Sequence, residues 1–244
     1  MLFSPSGGLV YHLRALRYRQ TLWQPFCGAL EGWLTRHLRV EDELILVGPS
    51  AGHCLPRELL GRARSLLVLE PDPVARRLLA LKLAPQRFHA EARDLLVAPL
   101  LSGRSGLDAV LARWPRATVL FCNVLGQLHF GLKDEQEQQL QTEFRRRILP
   151  ALQGRGWASF HDRWSLDRGS DDAPAPALLH FERLPSDELL AEAYFGSETV
   201  TALDHGTTTL FPERLARDYL PWQITPRALH LIEAVAGGAD DPPL

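Results

Sequence analysis

One repeating unit constrains this chain most: a short apolar run, an abrupt turn, then a stretch of helical composition. Leu44-Ile45-Leu46-Val47 is stopped by Gly48-Pro49, and helical composition follows from about Leu55 to Ala63. Leu66 to Leu69 is stopped by Glu70-Pro71-Asp72-Pro73, and Val74 to Leu83 is rich in Leu, Ala and Arg, all good helix formers. Phe88 to Ala92 gives a short third strand before Asp94, and Ala117 to Cys122 a fourth. A polar-faced helix is expected over Glu135 to Leu149, then a fifth strand over Gly156 to His161. A strand wetted on one face alternates apolar and polar residues; these runs do not, so both faces must be covered. Such strands alternating with helices predict an α/β fold, a doubly wound and mostly parallel sheet with helices on both faces.

The flanking segments have other periods. From Leu9 to Leu38 the apolar residues recur at helical spacing, interrupted at Pro25, which predicts a helical lead-in of two segments. After Asp162 the pattern loosens, and Asp167 to Pro176 is a surface loop by its Asp, Gly, Ser, Ala and Pro content. Thr199 to Leu203 and Thr207 to Phe211 flank Asp204-His205-Gly206 and read as a hairpin; Trp222 to Thr225 and Ala228 to Val235 flank Pro226-Arg227. The tail from Gly237 is expected to fray. The division expected is a lead-in over 1–40 packed on a main domain over 41–244, with a loop-rich insertion at about 163–198. Hydrophobic residues at 45%, charged residues at 23% and a net charge of −2 describe an ordinary globular chain with no global field for a nucleic acid. Arg145-Arg146-Arg147 follows an acidic stretch and reads as the basic end of one solvated helix. Three cysteines without metal-ligand spacing exclude a disulfide scaffold and give no zinc motif, and no apolar run reaches the roughly 18 residues of a membrane span, so a cytoplasmic location without metal is expected.

The chemistry gathers at the first turn. Where a buried strand meets a helix through glycine, the backbone approaches a ligand closely and the helix start offers unpaired N–H groups. Gly48-Pro49-Ser50-Ala51-Gly52 has this layout, and Glu70 ends the second strand 22 residues after Gly48. An acid at that offset accepts hydrogen bonds from ribose hydroxyls in doubly wound nucleotide folds. On these residues the chain resembles the class I S-adenosylmethionine-dependent methyltransferases over about residues 40 to 165. Gly48 to Gly52 matches the family's G-x-G-x-G loop, with Ser50 in place of the middle glycine, and Val68-Leu69-Glu70-Pro71-Asp72 its second strand and acidic end. The resemblance implies a seven-stranded sheet closed by the antiparallel pair at Trp222 to Val235. It implies a cofactor, S-adenosylmethionine with S-adenosylhomocysteine as product, held by Gly48, Pro49, Ser50, Ala51, Gly52, Glu70 and Pro71. Asp94 would lie near the adenine, and Asn123 beside the methyl-transfer centre. The resemblance leaves the acceptor open, a small molecule or a substrate of another kind.

The chain departs from that pattern at Leu46, where many members carry an acid, and at Asn123-Val124-Leu125-Gly126, which is not the Asn-Pro-Pro-aromatic motif of amino-group methylation. These departures, with Ser50, leave open a binding or scaffold protein on the same fold. The five-residue turn also satisfies G-x-S-x-G, the nucleophile elbow of serine hydrolases, with Ser50 as nucleophile and His205 or His230 downstream, although only one strand precedes it. Against a ligand-binding role for Glu70 stands one simple structural alternative, the capping of the helix after Pro73. His53, His129 and His161-Asp162 fall on the carboxyl rim of the sheet, and His161 with Asp162 is the preferred catalytic pair.

Overall fold

In the computed structural model, residues 8–83, 88–167, 178–195 and 201–239 are described. At the centre of the sheet β1 (Glu43–Val47) pairs in parallel with β2 (Ser65–Leu69) on one side and β4 (Thr118–Cys122) on the other. Beyond β2 lies β3 (Phe88–Glu91); beyond β4 lies β5 (Trp157–Asp167). An antiparallel pair, β8 (Arg217–Gln223) and β9 (Ala228–Gly237), adds itself to β5 through β9. Two short strands complete a nine-stranded mixed sheet among the described residues: β6 (Leu179–Phe181) on the outer edge of β8, and β7 (Ala202–Asp204) against the far end of β5.

Successive residues of β1 go to opposite faces, as a pleated strand requires. Leu44 and Leu46 join a core with Trp23, Phe26, Leu30, Trp33 and Leu34; Ile45 and Val47 join another with Leu100, Leu111, Phe144 and Ile148. The first face is covered by the lead-in helices α1 (Gly8–Tyr18) and α2 (Gln24–His37), with α3 (Arg57–Arg62) and α4 (Pro73–Ala80). The second is covered by α5 (Val97–Ser102), α6 (Leu107–Arg113), α7 (Asp134–Glu143) and α8 (Leu149–Leu152). Helix α9 (Asp187–Phe195) adds Leu190 to a small third cluster with Trp164, Tyr219 and Leu231.

Several sequence expectations change. The sheet has nine strands, not seven: β6 is three residues, too short to show a period, and β7, expected in a separate hairpin, joins the sheet beside β5. Ala202–Asp204 forms no hairpin with Thr207 to Phe211, which turns; it pairs instead with β5, whose 11 residues run well beyond the expected end at His161. A register shift between Asp162 and Trp164 accompanies that extension, and Asp167 is strand; 168–176 of the expected loop lie outside the described residues, as do 199–200 and 240–244. The single helix expected over Glu135 to Leu149 is broken by a π turn at Phe144–Ile148, next to Pro150, which has no N–H for the Arg146 carbonyl. Arg147 in that turn is not solvated but bonds Asp108 at 2.6 Å. No helix among the described residues is long and apolar enough to cross a membrane.

Candidate functional site

The chain leaves β1 for β2 on one side and later enters β4 on the other, so the turns after β1 and β4 diverge and leave a crevice at the carboxyl ends of the strands, the place where open α/β sheets bind ligands. A cavity of about 360 Å³ lies there. It is bounded by Gly48, Pro49 and Ser50 after β1, by Glu70 and Pro71 after β2, by Asp94 after β3 and by Asn123 after β4. Its remaining walls are largely apolar, with Phe160 of β5, Trp222 of β8 and Tyr11 of α1.

Gly48 and Gly52 have left-handed φ of 64° and 60°, and Ser50 is also left-handed at 50°. A Cβ on Gly48 would lie 2.6 Å from Val124 Cβ, and one on Gly52 2.8 Å from Leu79 Cδ1, so the first glycine lets β1 approach the end of β4 and the second lets the turn sit on α4. Ala51 and Gly52 thus belong to the turn but do not face the cavity. Glu70, only 7% exposed, fastens the turn: its Oε2 accepts the Ser50 N–H at 2.7 Å and its Oε1 the Asp72 N–H at 3.0 Å. Burial pushes its pKa above the ordinary carboxylate value despite those two bonds. The helix after Pro73 is capped by another residue, Asp72, whose carboxylate accepts from Val74 at 2.8 Å and Ala75 at 3.4 Å. Glu70 is therefore not the helix cap, and one lone pair on each of its oxygens remains for a donor.

Asp94 stands at the cavity's edge, yet its carboxylate is engaged by the N–H groups of Leu96, Val97 and Ala98 at the start of α5. Asn123, left-handed with φ 55°, reaches across to β5: its amide N–H donates to Asp162 Oδ2 at 3.0 Å and its Oδ1 accepts the Asp162 N–H at 2.7 Å.

His161 and Asp162 do not form a pair. Adjacent residues of a strand point to opposite faces, and His161, wholly buried, bonds Ser159 Oγ at 2.9 Å and faces Glu233 at 3.6 Å. Asp162 points to the face of Phe160 and takes His230 as its partner, Nδ1 to Oδ1 at 2.7 Å. Burial alone would raise the Asp162 pKa; the charge and hydrogen bond of His230, with His205 and Asn123, outweigh it and hold the acid below its ordinary value. Ser165 and His205 continue this cluster, Oγ to Nε2 at 2.6 Å. Sequence reasoning missed it because its members come from β5, β9 and the segment before β8, and only the unforeseen length of β5 brings them together. Those two histidines bond Ser165, and no histidine among the described residues bonds the Ser50 hydroxyl. Near the glycine turn, burial and then Lys82, His12 and Arg19 hold His53 down at about 3, so its imidazole is neutral. No group of three or more His, Cys, Asp or Glu among the described residues could hold a metal ion.

No protein-family model matches the sequence, and no curated protein matches it. Solved structures do. An S-adenosylmethionine-dependent methyltransferase from Anabaena variabilis superposes with a TM-score of 0.50, covering 91% of this chain and 90% of its own, at 11% identity. The chain has the class I methyltransferase fold. The N-methyltransferase NodS from Bradyrhizobium japonicum matches over 84% of this chain and 89% of its own, with 11% identity and a TM-score of 0.41. A DhpI complex covers 93% and 94% respectively, at 11% identity and a TM-score of 0.44. Relative to that fold, β9 and β8 are the closing antiparallel pair, and β6 and β7 are additions around them.

Proposed function

We propose that this protein is an S-adenosylmethionine-dependent methyltransferase of a small-molecule acceptor. The observation that carries the reading is the open cavity at the switch point with the buried Glu70 carboxylate in its wall. The residues fit the cofactor: the cavity volume of about 360 Å³ falls within the roughly 300–1,000 Å³ of small-molecule sites. Most of its surface is apolar, with a few polar groups at its ends, the pattern that fixes a nucleoside's orientation. When bound, the cofactor supplies an electrophilic methyl group on a sulfonium sulfur.

In this reading Gly48, Pro49 and Ser50 bring bare backbone against the cofactor, and the two free lone pairs of Glu70 accept its ribose hydroxyls. Pro71 and Asp94 border the adenine, and Asn123 borders the reacting end. Ala51 and Gly52 shape the turn from behind. The chain itself contributes alignment, which by effective molarity alone lowers a bimolecular barrier by about 7–11 kcal/mol. A scaffold relative that has lost the cofactor calls for a cleft filled by side chains, and the open cavity weighs against it. Calorimetric titration with S-adenosylmethionine and S-adenosylhomocysteine tests the proposal, and no binding of either at millimolar concentration sinks it.

A further inference from the structure

Trp222, His230 and Ser165 are cross-strand neighbours on β8, β9 and β5, so their side chains share one face. Trp222 lines the cavity. So does Phe160, which lies two residues before Asp162 on β5, about 6.6 Å along a strand. Asn123, at the cavity's reacting end, is bonded to Asp162. The Asp162–His230 pair therefore stands one step outward from the cavity, and the His230 side chain is 24% exposed while Asp162 is 4% exposed.

The hydrogen bonds fix where the protons are. A backbone carbonyl only accepts, so His205 carries its proton on Nδ1, 2.8 Å from Gly126 O, and offers a bare Nε2 to the Ser165 hydroxyl. Burial, against the pull of Asp162, lowers the His205 pKa and keeps that ring neutral. Ser165 thus donates to His205 and turns oxygen lone pairs toward the His230 ring, 3.3 Å from Nδ1 and 3.4 Å from Nε2. Asp162 accepts from Nδ1 of His230. The two ring nitrogens lie almost equally far from Ser165 Oγ, so the hydroxyl sits against the ring and not on the line of Nε2, and the carboxylate of Asp162 holds Nδ1 while Nε2 has no side-chain acceptor along its axis among the described residues. The other titratable groups nearby are His129, 5.5 Å from the His205 ring, and Tyr11 of α1, which senses the Asp162 charge.

We propose that His230, oriented by Asp162, is the proton acceptor of methyl transfer and that the methyl acceptor is a hydroxyl or thiol; this rests on the methyltransferase reading above. As the acceptor oxygen or sulfur bonds the methyl carbon, the electron pair of the broken carbon–sulfur bond stays on the cofactor's sulfur, and the acceptor's proton passes to Nε2 of His230. A carboxylate acceptor has no proton to lose, and a neutral amine attacks through a lone pair it already has. A hydroxyl or thiol gains nucleophilicity as its proton leaves, which is the task a poised imidazole performs.

The test measures S-adenosylhomocysteine formation with phenol and 2-mercaptoethanol, both protonated at pH 7, and with aniline and benzoate, alongside calorimetric binding of S-adenosylhomocysteine. Transfer to the phenol or thiol is expected, and His230→Gln should lower it at pH 7 by about 10²–10⁴-fold. The residual rate should rise with pH as the acceptor ionises by itself, while product affinity stays within about twofold; His89→Gln, on the exposed side of β3, should match wild type. Nitrogen-15 NMR of the cofactor-free protein should find His230 as the Nδ1–H tautomer, a preference lost in Asp162→Asn. An unaltered rate in His230→Gln, an Nε2–H tautomer, or a protein that binds the cofactor yet methylates neither the phenol nor the thiol overturns the assignment. If S-adenosylhomocysteine does not bind at all, the methyltransferase reading itself fails and this one with it.

Discussion

At the scale of single residues, Glu70 joins binding to structure. A strand-ending acid on an open rim is expected to bind ligand without supporting the fold, but this one is buried and satisfies two backbone N–H groups. Glu70→Ala should therefore weaken S-adenosylhomocysteine binding at least about tenfold, each charge-assisted bond being worth roughly 1.5–3 kcal/mol, and it should also lower stability by about 1–3 kcal/mol through the orphaned Ser50 and Asp72 donors. Calorimetry and thermal melting separate the two effects, with Glu135→Ala, exposed on α7 and away from the cavity, as control. The raised pKa adds a pH signature. Because protonation of Glu70 is easier in the folded chain than in the unfolded one, its contribution to stability is fully present below the unfolded value, about 4.3, and is lost as pH rises through the folded value. Ribose hydroxyls bond the ionised form, so binding should weaken on acidification sooner than an ordinary glutamate would allow, and Glu70→Gln should flatten that dependence. Glu70 and Gly48 were legible because strand, turn and acid follow in order along the chain. The Asp162 partnership was not, since a strand's alternation forbids the sequence neighbour His161 and selects His230, 68 residues away.

At the scale of elements, the turn after β1 shows where a local rule is strained. Ser50 adopts a left-handed conformation that costs a non-glycine residue roughly 1–2 kcal/mol, and it is held there by its N–H bond to Glu70. Ser50→Gly should relieve that strain, raising stability by up to about 1 kcal/mol, or roughly 2–4 °C in melting temperature for a chain of this size, with cofactor affinity kept. Gly48→Ala should do the opposite, since its Cβ meets Val124 at the end of β4. A Ser50→Gly protein that melts lower than wild type would mean the hydroxyl has a structural role. Strands β1, β2 and β4 could be read from the sequence because runs buried on both faces are apolar throughout, whereas β3, half exposed, was placed by its position before Asp94 and β5 by its first residues alone. Helices α5 and α6, of six and seven residues, were not read, since they carry too little period to register, and the equally short α3 was read only from its place between two apolar strand runs. Strand β7 was mistaken for half of a hairpin because an Asp-His-Gly turn looks the same whether the chain returns to its neighbour or joins another strand.

At the scale of the molecule, the lead-in and the sheet share one core, and this core forms a wall of the cavity. Phe26 of α2 stacks on Trp222 at 4.7 Å between ring centroids, Trp23 donates its indole N–H to Ile224 O at 3.0 Å, and Trp33 donates to Asp218 Oδ2 at 2.8 Å. Trp222, the residue they brace, lines the cavity, as does Tyr11 of α1. If the lead-in were an independent unit, a mutation in it would lower its own melting and spare the sheet. With the core shared, unfolding should be a single transition whether followed by far-ultraviolet dichroism or by tryptophan fluorescence. Phe26→Ala removes a ring that is 1% exposed and should cost about 3–5 kcal/mol, roughly 6–20 °C, without splitting that transition. Cofactor affinity should fall with it, because Trp222 loses the surface that holds its ring against the cavity. Two separated transitions, only the lower of them moved by Phe26→Ala, would place the lead-in outside the core and leave the cavity's Trp222 wall to the sheet alone.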